Sequence, residues 1–112
     1  MITRSKIERV AADNGWNCRI ERKEKWEVEF QRYTNVGQDV SFSFEVDKLS
    51  DLPYEVYECW QNYDPDYETM LWIGADGHGK NGAPYAIEDI NADMKDVEND
   101  LEWLQSELNK LS

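Results

Sequence analysis

The chain of 112 residues contains little histidine, cysteine or proline: one, two and three residues respectively. Zinc sites need three or four suitable ligands. Neither cysteine lies near His78 in the sequence, so the sequence does not predict a zinc site around this histidine. No apolar run approaches the roughly 18 residues of a membrane span, and the start, MITRSKIERV, lacks the apolar core of a signal peptide. We therefore expect a cytoplasmic protein in which Cys18 and Cys59 are free thiols on inward-facing positions.

Positive charge is scarce after the first third of the chain. The formal net charge is −12, and residues 33–112 hold four lysines against eighteen Asp and Glu. Residues 1–32, by contrast, hold eight Lys and Arg against six acids. Sequence-independent binding to nucleic acid requires Lys and Arg to neutralise phosphates, so we expect basic protein partners and no direct nucleic-acid binding. This length predicts a single domain, residues 1–112.

Apolar and polar residues alternate in three stretches near the middle of the chain. The apolar positions are Trp16, Cys18 and Ile20, then Trp26, Val28 and Phe30, then Val40, Phe42, Phe44 and Val46. A period of two with one polar side predicts a three-stranded antiparallel sheet that is wet on one face. A capping-box pattern from Ser5 to Glu8 predicts a helix before the sheet, and Asn14-Gly15 ends it.

Helical signals follow the third stretch. A second helix is predicted from Ser50-Asp51, with Pro53 in its first turn, and a third from Pro65 to about Ile73. A strand over residues 70–73 is the alternative to the end of that third helix. Apolar residues then recur every three or four positions in a long final helix, at Ile87, Ile90, Met94, Val97, Leu101, Leu104, Leu108 and Leu111. The prediction is an α+β fold in which a helix and three strands precede two or three helices (α-β-β-β-α-α-α), the last packed on the sheet.

The glycine-rich stretch from Trp72 to Tyr85, WIGADGHGKNGAPY, contains the pattern G-x-x-x-x-G-K. A phosphate-binding loop requires Ser or Thr after the lysine, where this chain has Asn81. Gly82 and Pro84 also oppose the helix that such a loop must begin. We interpret the stretch as a surface connection between two helices, and we predict neither a cofactor nor a metal site.

A small metal-dependent hydrolase is one alternative function. Glu21-x-Lys23, preceded by Asp13, is similar to the acid and lysine sets of metal-dependent nucleases. Those sites need the first aspartate at the end of a neighbouring strand, whereas Asp13 lies at a helix terminus. Neither cysteine has the spacing of an activated nucleophile. We therefore predict no catalytic residues and a protein that is not an enzyme.

The regular spacing of the final helix is also typical of coiled-coil dimers. With Ile87 at position a, the flanking sites are Asn91, Glu98 and Gln105 at e, and Asp93, Asp100 and Glu107 at g. Acids would face acids in a homodimer, so we expect this apolar seam to pack within the molecule, as a monomer. A structural homodimerising accessory protein of unknown role is the second alternative.

The final helix also carries a row of acids. Asp89, Asp93, Asp96 and Asp100 recur at intervals of four, three and four, flanked by Glu88 and Glu102. Their rise of about 5 Å per carboxylate is similar in scale to the ~3.4 Å between phosphates of one DNA strand. On the second helix, Tyr54, Tyr57 and Trp60 cannot all join the inner stripe, and such rings are favoured in protein interfaces. We predict these nine residues as the partner-binding surface; a solvated, solubilising face is the other interpretation.

Two resemblances extend this interpretation. The order of helix, three antiparallel strands and helix resembles a double-stranded-RNA-binding domain, but Asp47–Asp51 replaces that family's basic entry to the second helix, so RNA binding is not implied. The acidity makes the chain similar to phage-encoded anti-CRISPR and antirestriction inhibitors that imitate DNA. YEVYECWQNYDPDYETMLWIG, GKNGAP and the long acidic helix, within about residues 40–111, resemble small uncharacterised proteins of phages and conjugative elements.

The expected function is therefore that of a non-enzymatic acidic protein-binding module encoded on a mobile element. The resemblance implies a DNA-mimicking, anti-defence inhibitor that occupies the basic surface of a nucleic-acid-processing or host-defence protein.

Overall fold

The computed structural model describes residues 1–80 and 82–111 and confirms the predicted α+β fold. Helix α1 is followed by three strands, a short 3₁₀ turn and three more helices, of which the last is the longest. The elements are α1 (Arg4–Asp13), β1 (Asn17–Arg22), β2 (Trp26–Tyr33), β3 (Asp39–Val46), the 3₁₀ turn (Leu49–Asp51), α2 (Leu52–Asn62), α3 (Pro65–Met70) and α4 (Ile87–Asn109).

Helix α1 begins two residues earlier than the capping-box pattern predicted. Its N-cap is Thr3, whose Oγ1 accepts a hydrogen bond from the backbone N–H of Lys6 at 3.3 Å. Ser5 therefore lies inside the first turn, and the predicted cap at this position is wrong. The predicted end is confirmed, because Asn14 caps the helix and Gly15 has φ +80°, a left-handed conformation that glycine adopts without a Cβ clash.

The strands form one antiparallel sheet in the order β1-β2-β3. Ile20 lies opposite Val28, and Val28 lies opposite Phe44, so the apolar positions of all three strands share one face. The predicted sheet is confirmed, with one face against the helices and one carrying mainly polar residues.

Helix α4 packs against α2, α3 and the sheet, and its apolar seam is turned inward. Leu101, Leu104 and Leu108 share a core with Ile20, Val28 and Phe30. Ile90, Met94 and Val97 form a second core against Val40, Phe42 and Tyr63. Ile87 is 42% exposed, so the seam begins at Ile90 and not at the predicted Ile87. No helix in residues 1–80 and 82–111 combines the length and apolarity needed to cross a membrane.

Helix α3 confirms the helical prediction for the segment after Pro65 but ends at Met70, three residues early. The side chain of Asp64 caps it by accepting from the backbone N–H of Asp66 at 3.0 Å. Ile73, predicted to be helical, forms a single antiparallel bridge with Gly79. The strand alternative for residues 70–73 is thus limited to one bridged residue.

The glycine-rich stretch is a tightly bonded connection between α3 and α4. The N–H of Gly74 donates to the carbonyl of His78 at 2.7 Å, and the N–H of Lys80 donates to that of Trp72 at 2.9 Å. A Cβ on Gly79 would lie 1.8 Å from the carbonyl oxygen of Pro84, so this position requires glycine. Asn81, the residue that departs from the phosphate-loop pattern, lies outside the described residues.

Both cysteines are free thiols that face the core, as predicted. Burial raises the pKa of Cys18 to about 11, with Glu8 adding to the shift and Arg4 opposing it. Burial also raises the pKa of Cys59. Because the thiolate is the reactive form, both side chains behave as small apolar groups of the core.

Candidate partner-binding surface

The predicted row of aspartates on α4 is not displayed as a unit. Asp93 is only 3% exposed, and neither of its carboxylate oxygens has a hydrogen-bond partner among the described residues. Its position explains the burial, because it follows Ile90 by three residues and precedes Val97 by four, which places it on the buried face. The expectation that Asp93 faces solvent is wrong.

Asp100 is held by an arginine from the sheet. The Nε of Arg32 lies 3.2 Å from Oδ2 of Asp100, and its Nη1 donates to the backbone carbonyl of Asn14 at 3.1 Å. The guanidinium also lies 5.2 Å from the ring centre of Trp16. Burial raises the pKa of Asp100, with Arg32 opposing that rise and Asp96 adding to it. Asp100 therefore joins α4 to β2 and α1, and it is not a free acid of the surface.

Three predicted acids at the start and middle of α4 are exposed. Glu88 and Asp89 lie in the first turn, where the helix dipole favours negative charge. Asp96 is exposed and accepts a hydrogen bond from Nδ2 of Asn35 at 3.0 Å, which ties it to the connection between β2 and β3. The row of exposed acids is therefore interrupted at Asp93. At the two later positions, Asp96 is hydrogen-bonded to Asn35 and Asp100 is ion-paired with Arg32.

A second surface brings the aromatic residues of α2 beside acids of α4. Trp60, Glu98 and Glu102 line one shallow groove of about 270 Å³, together with Gln61 and Tyr63. We call this surface the α2–α4 face, consisting of Tyr54, Tyr57, Trp60, Glu98 and Glu102. It unites four residues predicted from the sequence with Glu98, which was not among them. The signal for Glu98 was its spacing of four residues from Glu102, which places both on one side of a helix.

The rings of the α2–α4 face are exposed to different degrees. Tyr54 is 63% exposed and Tyr57 38% exposed, whereas Trp60 is half-buried. The rings of Tyr57 and Trp60 pack edge to face, with centroids 5.8 Å apart. A hydrogen bond to the Glu58 carboxylate raises the pKa of Tyr54. Tyr and Trp side chains are enriched in surfaces that contact another protein.

The distribution of ion pairs separates the sheet from the helical layer. The cations of β1 and the turn after it pair with the sheet, as Arg19 does with Glu29 and Lys23 with Glu27. Of the acids described from residue 52 onward, only Asp100 and Glu107 lie in an ion pair. Most of the acids described on α2, α3 and α4 therefore lie in no ion pair.

The three residues of the hydrolase alternative lie on different parts of the chain: Asp13 on α1, Glu21 on β1 and Lys23 in the turn after β1. Lys23 Nζ lies 3.7 Å from Glu21 and 3.1 Å from Glu27, on the open face of the sheet, whereas Asp13 ends α1. Within residues 1–80 and 82–111, no three His, Cys, Asp or Glu side chains are grouped so as to hold a metal ion. The histidine of the glycine-rich stretch, His78, stacks on Tyr85 with ring centroids 3.9 Å apart.

No family model matches this chain, and no curated protein or solved structure matches it either.

Proposed function

We propose that the protein is a non-enzymatic acidic binding module that occupies the basic, DNA-binding surface of another protein. The observation that supports this most directly is the unpaired negative charge of the helical layer. Acids there outnumber lysines, and few of those described are neutralised within the molecule. Such a surface attracts a basic groove over a distance of about one Debye length, roughly 8–10 Å at physiological salt.

The α2–α4 face is the proposed centre of the contact. Trp60 supplies apolar area and Glu98 and Glu102 supply charge in one groove. Tyr54 and Tyr57 add exposed rings on the same helix as Trp60. Exposed acids at Glu88 and Asp89 extend the charge toward the start of the helix. From Glu88 to Glu102 the helix rises roughly 21 Å, which spans about six phosphates of one DNA strand.

Asp93 and Asp100 have a different role in this proposal. One is buried and the other is ion-paired to Arg32. They belong to the packing of α4, so the binding test must leave both unchanged.

A triple variant, Asp89→Asn, Glu98→Gln and Glu102→Gln, tests the proposal. The immobilised protein is incubated with the heparin-binding protein fraction of a bacterial lysate, which is enriched in proteins that recognise polyanions. We expect a captured protein at low salt that is released at high salt and displaced by duplex DNA. The triple variant should lose this capture.

The matched control removes three exposed acids away from this face: Glu8→Gln, Asp13→Asn and Glu24→Gln. It carries the same net charge as the triple variant and should keep the captured protein. If both variants lose capture equally, general negative charge is responsible and the α2–α4 face is a solvated surface. Capture that duplex DNA does not displace contradicts DNA mimicry.

A further inference from the structure

The two edges of the sheet are protected unequally. Strand β1 has α1 beside it, and Nη2 of Arg4 donates a hydrogen bond to the backbone carbonyl of Ile20 at 2.7 Å. Strand β3 is the opposite edge, and it contacts α2. In residues 1–80 and 82–111, the only backbone hydrogen bonds of β3 are those to β2. An edge strand presents unpaired N–H and C=O groups that can pair with another extended chain.

A cleft runs along the first half of this open edge. Four consecutive residues of β3, Asp39 to Phe42, line one side, and the cleft has a volume of about 470 Å³. Consecutive strand residues point to opposite faces, and no residue of β2 lines the cleft. The cleft therefore lies at the β3 edge of the sheet, where this strand meets Tyr63 and Met94 of the helical layer. Four residues of strand extend over roughly 10 Å.

The other side of the cleft is built by α3 and the glycine-rich stretch. Glu68, Leu71, Trp72 and Lys80 form the wall, and Tyr63 and Met94 complete the lining. The hydroxyl of Tyr63 donates to the carbonyl of Met94 at 3.1 Å, and its ring packs edge to face on Phe42 at 6.1 Å. This part of the lining is thus apolar and fixed before any ligand arrives.

The charges along the cleft favour a cation. Asp39 and Glu68 line it together with one lysine, Lys80. Glu68 lies in no ion pair among the described residues, and burial, with a further contribution from Asp64, raises its pKa. A carboxylate that has lost part of its hydration gains more from a neighbouring cation than a fully hydrated one does.

We propose that this cleft binds an extended segment of a basic partner, which adds to β3 as a fourth strand. Backbone hydrogen bonds to residues 39–42 hold the segment. Its apolar side chains pack on Tyr63 and Met94, and a lysine or arginine pairs with Glu68. The inference rests on the proposed function, because the partner is basic in both. A second copy of this chain fits poorly, since each copy carries a net charge of −12.

The probe is a synthetic peptide, acetyl-KVKVKVKV-amide, titrated into ¹⁵N-labelled protein. We expect the amide signals of residues 39–42 and the indole signal of Trp72 to shift, and hydrogen exchange along β3 to slow. Two control peptides separate the contributions. EVEVEVEV reverses the charge, and a KVKVKVKV analogue with its two central valines replaced by proline cannot maintain strand pairing. Neither should bind comparably.

Matched variants locate the site. Leu71→Ala should weaken peptide binding several-fold, whereas Met70→Ala should not, since both side chains are exposed but only Leu71 lines the cleft. Glu68→Gln should weaken it about five-fold, the upper end of what a solvent-accessible ion pair contributes, and Glu55→Gln on α2 should have no effect.

Three outcomes would overturn the strand-addition proposal: no shift in residues 39–42, equal binding of EVEVEVEV, or shifts confined to the α2–α4 face. A concentration-dependent change of the same β3 signals without peptide would identify a second copy as the occupant. The variant Asp89→Asn, Glu98→Gln, Glu102→Gln distinguishes the two proposals. It keeps an intact cleft, so peptide binding by this variant supports the cleft even if capture of a basic protein fails.

Discussion

The two flanks of α4 carry the same kind of side chain in different states. On the flank facing Arg32 and the connection between β2 and β3, Asp93 is buried, Asp100 is ion-paired and Asp96 is hydrogen-bonded. On the flank facing α2, Glu98 and Glu102 line an open groove and lie in no described ion pair. One flank supports the fold, and the other is available for binding.

The comparison shows that the spacing of charges along a helix does not determine what they do. The spacing of residues along a helix specifies which of them share a face, but the neighbouring elements determine which face is exposed to solvent. Here the end of β2 places Arg32 against one side of α4, whereas α2 leaves a shallow groove on the other side.

The largest effect is expected on the structural flank, from Arg32→Ala. This change removes the ion pair with Asp100, the hydrogen bond to Asn14 and the contact with Trp16. We expect the free energy of unfolding to fall by about 2–3 kcal/mol in denaturant titrations. Arg19→Ala is the control, because that side chain is 67% exposed and its ion pairs should contribute less than about 1 kcal/mol. Equal losses in the two variants would remove the distinction between a structural and a solvated arginine.

Asp93→Asn is expected to have the next largest effect, in the opposite direction. The carboxylate is buried without a hydrogen-bond partner among the described residues, so removing its charge should raise the free energy of unfolding by about 1–2 kcal/mol. Asp89→Asn, an exposed position on the same helix, should change stability by no more than about 0.5 kcal/mol. A loss of stability in Asp93→Asn would show instead that the folded protein uses this carboxylate.

The smallest effect is a pH dependence at Asp100. Because burial raises its pKa in the folded state, the folded protein binds this proton more tightly than the unfolded chain does. Its contribution to stability is therefore complete below the unfolded pKa of roughly 3.9 and is lost as the pH rises through the higher, folded value.

Thermal or urea unfolding of the wild type and Asp100→Asn at several pH values measures this contribution. The stability of the wild type relative to the variant should decline as the pH rises from about 3.5. The opposite slope would mean that the attraction of Arg32 outweighs the cost of burial, and would make Asp100 a stronger structural acid than its surroundings indicate.

Much of the fold could be predicted from local patterns. Alternation of apolar residues identified the three strands, and the spacing from Ile90 to Leu108 identified the inner side of α4. The cap at Ser5 was wrong because two candidate hydroxyls lie two residues apart and Thr3 makes the bond. The same alternation also indicates that Arg32 faces inward, because it continues the series of Trp26, Val28 and Phe30 at every second position.

The candidate sites were less accessible to sequence reasoning because they depend on contacts between distant segments. Burial of Asp93 depends on how wide a stripe of α4 the neighbouring elements cover. The cleft beside β3 requires Asp39, Trp72, Lys80 and Met94 to meet, and no periodicity relates these positions. The glycine-rich stretch matches part of the phosphate-loop pattern, whereas in the fold its residues Trp72 and Lys80 line one wall of the cleft.

The shielding of β1 by α1 and Arg4 has a consequence for assembly. A sheet with two unprotected edge strands can pair with other sheets at both edges and grow into ribbons or fibres. Strand addition at β3 uses one edge, while at the other edge Arg4 occupies the carbonyl of Ile20. Further growth then depends on the outer edge of the added strand, so the length and sequence of the bound segment determine how far the sheet extends.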